Sequence, residues 1–135
     1  MTNKVVNGGR WLVAVLFAVE GAGLVWSTVT GAVDALGRSS RGESASFYPV
    51  YMDALWSVTT IACAWGILSW QLWARYLALF LSTLDLIAAV VGMFFIGTSG
   101  TSVALTLALV LVSAIMIWLL LPSVRAEYVR KALTA

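Results

Sequence analysis

The sequence predicts an all-α integral membrane bundle of four antiparallel transmembrane helices with a short C-terminal interfacial helix. Three observations carry this. The 135 residues are 61% hydrophobic and 10% charged, with a mean hydropathy of +0.97, where a soluble domain carries about 25% charged residues. Four apolar runs are each about as long as a bilayer-crossing helix requires. The lysines and arginines then sort onto alternate sides of those runs. At about 20 residues per span, residues 1–135 form one transmembrane domain and leave no room for a soluble one.

Residues 1–10 are short and polar and carry Lys4 and Arg10. The first span is expected at about 11–33; it is longer than a signal-peptide core, so it reads as a retained helix. Residues 34–49 are expected to form the one substantial loop, on the strength of Gly37, Ser39, Ser40, Gly42 and Ser44. Its end, Phe47-Tyr48-Pro49-Val50-Tyr51, has interfacial aromatics and a proline suited to a helix's first turn. The second span is expected at about 51–72, followed by a turn at 73–75. The third is expected at about 76–96, a turn at 97–100, and the fourth at about 102–121, closed by Pro122. Residues 123–135 suit an amphipathic interfacial helix, with Val124, Tyr128 and Ala132 toward lipid.

One side of this arrangement holds Lys4, Arg10, Arg75, Arg125, Arg130 and Lys131; the other holds Arg38 and Arg41. The positive-inside rule puts both termini in the cytoplasm of a multi-pass protein of the plasma (inner) membrane. Trp11, Trp70, Trp73 and Trp118 gather at the cytoplasmic interface as an aromatic belt. Arg75, Arg125, Arg130 and Lys131 are expected to contact lipid headgroups.

Histidine is absent and Cys63 is the lone cysteine. That removes bis-His haem, a His-bearing copper site, a thiolate cluster, a disulfide and a Ser-His-Asp triad. Met52, Met93 and Met116 fall at unmatched depths and make no copper path. The expectation is no metal, no cofactor and no catalytic residue. A net charge of +2 is too small to point to nucleic acid.

Glu20 and Asp85 break the apolar pattern. A charge at bilayer depth costs about 2.5–3.5 kcal/mol on insertion scales. Glu20 lies nine residues past Trp11, and Asp85 nine past Tyr76, so each is about 13–14 Å from its cytoplasmic helix end and near the midplane. Glu20 shares a stripe with Gly23, Ser27, Thr30 and Gly31, and Asp85 shares one with Ser82, Ala89 and Gly92. Thr59, Cys63 and Gly66, with Thr106 and Ser113, add small or hydroxylated positions on the other two spans. Such residues favour helix–helix interfaces, so both carboxyls are expected to face inward. Two carboxylates in low dielectric cannot both ionise cheaply.

Three readings stay open. The acids are protonated and hydrogen-bonded, for example to Ser27 and Ser82. They bind a proton or a cation, an organic one being flanked by Trp26 and Trp65. Or one of them pairs with a basic group on a partner protein. Asp53 reads as a charge at a helix N-terminus, and Asp34 and Glu43 as solvated loop charges.

The turn Trp70-Gln71-Leu72-Trp73-Ala74-Arg75-Tyr76-Leu77-Ala78-Leu79 and the exit Leu120-Leu121-Pro122-Ser123-Val124-Arg125-Ala126-Glu127-Tyr128 resemble those of uncharacterised small four-helix bacterial integral membrane proteins. The resemblance implies a topology and no activity. A glutamate in the first helix is also similar, in outline, to small multidrug exporters. The long first loop, Asp85 and the residues around Glu20 depart from that family. The expectation is a non-enzymatic membrane subunit that packs against other membrane chains or copies of itself. The alternative is a small proton- or cation-coupled transporter using Glu20 and Asp85.

Overall fold

A computed structural model describes residues 2–95 and 101–134. They form α1 (Thr2–Ser40), α2 (Tyr48–Leu68), α3 (Leu72–Phe95), α4 (Thr101–Leu120) and α5 (Pro122–Thr134), with no strand among the described residues. Three helices are long and apolar enough to cross a membrane. Thr106–Leu120 and Pro122–Thr134 together make a fourth candidate, bent by 57°. The turn expected at 97–100 lies outside the described residues.

The first helix is longer than the sequence predicts. It has 39 residues, about 58 Å of rise, and takes in residues 34–40 of the expected 34–49 loop. Its N-terminal extension is held by packing. Val6 is 7% exposed, and the Trp118 indole occupies the space a side chain at Gly9 would need. At the other end, Ala35 is buried in the corner past which Ala45, Ser46, Pro49 and Val50 return. The helix stops at Gly42, whose φ of 75° is open to glycine without a Cβ penalty. The Gly42 N–H donates to the Ser39 carbonyl (3.0 Å), and that of Glu43 to the Arg38 carbonyl (3.0 Å). This Schellman pair satisfies carbonyls that a helix end leaves orphaned.

The same motif recurs at the end of α2 without glycine. Trp70 N–H donates to Ile67 O (3.2 Å) and Gln71 N–H to Gly66 O (2.8 Å), with Trp70 itself at φ 56°. The turn therefore falls at residues 69–71 rather than 73–75, and Trp73-Ala74-Arg75 becomes the first turn of α3. Ala74 then packs against Gly66, and the Cys63 thiol donates to the Ala74 carbonyl at 3.6 Å.

The buried core gathers at one end of the bundle, here called the base. Val13, Ala14 and Phe17 of α1 meet Cys63 and Ile67 of α2, Ala78 and Leu81 of α3, and Leu119 of α4. The fifth helix closes the base from below. Val124 and Tyr128, expected toward lipid, are fully buried against it. The physical reason is Pro122, which ends the α4 hydrogen-bond ladder and turns the chain back under the helices.

Above the base, α1 stays against α2, with Gly21 over Thr60 and Ile61 and Gly31 against Val50. Pairs α2–α3 and α3–α4 also pack. Between α1 and α4, the structure leaves a groove.

Candidate functional site

The groove is where Glu20 and Asp85 come together. Its α1 wall is Leu16 and Glu20, its α3 floor is Asp85, Ala88 and Ala89, and its α4 wall includes Ala108, Leu111 and Ile115. It encloses about 520 Å³. A smaller hollow of about 110 Å³ continues it toward the base, past Leu12 and Ala114, and ends at Gly9 and Trp118.

The local sequence explains the placement. The buried face of α1 runs through Val13, Ala14, Phe17 and Gly21. Glu20 stands one residue off that stripe and is exposed. Asp85 is half-buried, one turn beyond Leu81 and Ser82, which are each 2% exposed. The expectation that both carboxyls point into the bundle centre thus needs correction. They share one cavity, and Glu20 lies within the electrostatic reach of Asp85, but the cavity opens sideways between α1 and α4.

Other expected site residues are distributed differently. Ser27 is not beside Glu20; its hydroxyl donates to Asp53 Oδ2 at 2.6 Å, tying α1 to α2. Ser82 is buried on α3 but does not line the cavity. Trp26 and Trp65, the suggested flanks for an organic cation, are 72% and 64% exposed and lie outside it. A methyl group placed on Gly23 would meet nothing within 4 Å, so that stripe is not a close helix contact. Thr59 turns its hydroxyl to Leu55 O within its own helix.

The basic residues also divide. Arg75, expected at headgroups, is 5% exposed, and its Nε donates to the Leu119 carbonyl at 3.0 Å. The cause is the end of α4, whose last carbonyls lack helical partners and attract a cation. Arg125, Arg130 and Lys131 are exposed on α5, Arg130 paired with Glu127. The aromatic belt splits too: Trp11 and Trp73 are exposed, whereas Trp70 and Trp118 are buried.

Sequence reasoning missed a cluster at the base. The Arg10 guanidinium lies 4.9 Å from the centroid of the Trp70 ring, and its Nη1 donates to Leu68 O at 3.2 Å. The Trp70 ring meets Tyr128 edge-on at 4.9 Å. Nothing in the spacing of residues 10, 70 and 128 marks that meeting; only the turn-back of α5 creates it. Among the described residues, no three His, Cys, Asp or Glu side chains group as metal ligands.

The fold and groove define a class: an all-α protein with helices long and apolar enough to cross a bilayer and two acids in one lateral groove. Comparison with family models, curated proteins and solved structures finds no match to this chain.

Proposed function

We propose that this chain is a small, non-enzymatic integral membrane subunit of a bacterial inner membrane, docking through its α1–α4 groove. In this reading α1–α4 cross the bilayer in alternating directions, both termini are cytoplasmic, and α5 lies on the cytoplasmic face. The docking partner is another membrane chain in a larger complex, or a further copy of this one. The exposed Arg125 and Lys131 would then face headgroups.

The observation that carries this is the groove itself. It is walled by apolar and small side chains yet holds Glu20 and Asp85. Small residues let a neighbouring helix approach closely, and acids at bilayer depth call for a partner. A second reading, a proton- or cation-coupled transporter, is favoured by the two carboxylates sharing one cavity of about 520 Å³.

Native mass spectrometry after gentle extraction tests the subunit reading. The expected result is a stable assembly heavier than the 14.5 kDa chain. A well-behaved lone monomer overturns it and leaves the transport reading in its place.

A further inference from the structure

We infer that the groove receives a transmembrane helix of a different chain, bearing one Lys or Arg at mid-bilayer that sits between Glu20 and Asp85. The inference rests on the docking reading above and names the chemistry of the partner.

The first argument is charge. Glu20 and Asp85 are on one cavity, and among the described residues no basic one lines it. This chain's own nearest cations by sequence are committed elsewhere. Arg10 stacks on Trp70 and donates to Leu68 O, and Arg75 donates to Leu119 O. Each stands ten residues before its acid on the same helix, about 15 Å away along the axis. That is too far for a contact pair, and neither arginine can leave its carbonyl without exposing a helix end. A further copy of this chain has the same distribution of charge and brings no cation to that depth. When the acids are ionised, their complement comes from another molecule.

The second argument is shape. The groove and the hollow that continues it run from Ala108 to Trp118 along α4, ten residues or about 15 Å. That is nearly three helical turns, parallel to the helices. Ala88, Ala89 and Ala108 keep the floor and one wall low, so a helix backbone can approach. Glu20 and Asp85 stand toward the upper end of this seat, so a spanning helix that lodges there and continues past it brings a residue near its own middle level with the two acids. A cation there meets two carboxylates in a medium of low dielectric, where an ion pair is screened least.

Photo-crosslinking in native membranes tests this. Benzoylphenylalanine is installed at Ala108, the sample is irradiated before extraction, and the crosslinked peptide is sequenced by mass spectrometry. The expected peptide comes from an apolar segment of another protein, with a Lys or Arg near its centre. In the Glu20→Gln/Asp85→Asn double variant, which keeps shape and removes both charges, its yield falls about tenfold. A crosslinked segment without a basic residue, or one from this chain, overturns the inference but leaves docking intact. Lipid adducts alone overturn both.

Discussion

Tyr128 shows how one side chain can hold a fold and still be imperfectly satisfied. It is fully buried and packs edge-on against Trp70, yet its hydroxyl has no hydrogen-bond partner. An unpaired buried polar group costs about 1–3 kcal/mol. Tyr128→Phe keeps the ring and removes the orphan, so it is expected to stabilise the protein by about 1 kcal/mol in a detergent unfolding titration. Tyr128→Ala, which deletes the ring, is expected to lose about 3–5 kcal/mol. Burial also pushes the Tyr128 phenol well above its ordinary value of 10.0, more than the opposing Arg10 and Arg75 guanidiniums lower it. The folded protein therefore keeps a proton that the unfolded phenol gives up near pH 10. That contribution to stability is complete below about pH 10 and is lost as pH rises above it. Wild type should lose stability more steeply than Tyr128→Phe between about pH 9 and 11; parallel curves would refute this. Beside it, Trp70 holds a left-handed backbone that costs a non-glycine residue about 1–2 kcal/mol. The ring's contacts with Arg10 and Tyr128 offset that cost.

At the scale of elements, the existence of the helices was legible and their ends were not. Apolar runs announce spans because the bilayer requires them. Ends depend on which residue takes the left-handed cap, and the sequence around residue 40 offers Gly37 and Gly42 alike. Only Gly42 takes it. At residue 70 the cap is a tryptophan, which no propensity rule selects. Neighbouring glycines on α1 make a matched test. Gly8 has open space around it, whereas Gly9 lies under Trp118. Gly8→Ala should stabilise the helix by about 0.5–1 kcal/mol by reducing backbone entropy. Gly9→Ala should instead destabilise by about 1–3 kcal/mol, because a rigid indole must move. Equal effects at the two sites, read in the same unfolding titration, would show that the α1–α4 contact at the base carries no weight. The acids were legible as exceptions to an apolar pattern. Their shared cavity was not, because it depends on α1 and α4 parting above Trp118.

For the molecule as a whole, the proposed orientation rests on the distribution of arginines and lysines. Ser40→Cys in a Cys63→Ala background makes a direct check, since Cys63 is the lone native thiol and is buried. A membrane-impermeant maleimide should label Ser40→Cys from outside intact cells, and protection there would reverse the proposed topology. The whole-molecule pattern also explains why the lateral groove, unlike the two acids that line it, eluded sequence reasoning. Stripes of small residues point to the bundle centre only when the helices pack along their full length. A quartet packed tightly only at its base has an edge as well as a centre. Glu20 lies on that edge.

The crowding of buried residues at one end has a mechanical consequence. Above Ala78, Leu81 and Leu119, fewer apolar contacts restrain α4 than restrain α1, which lies along α2. Local opening is easiest where such contacts are sparse, so the molecule resembles a peg with a firm spring and loose jaws. Amide exchange should run fastest in the upper turns of α4. Whatever lodges between the jaws would quieten both at once, so that occupancy and stiffness rise together.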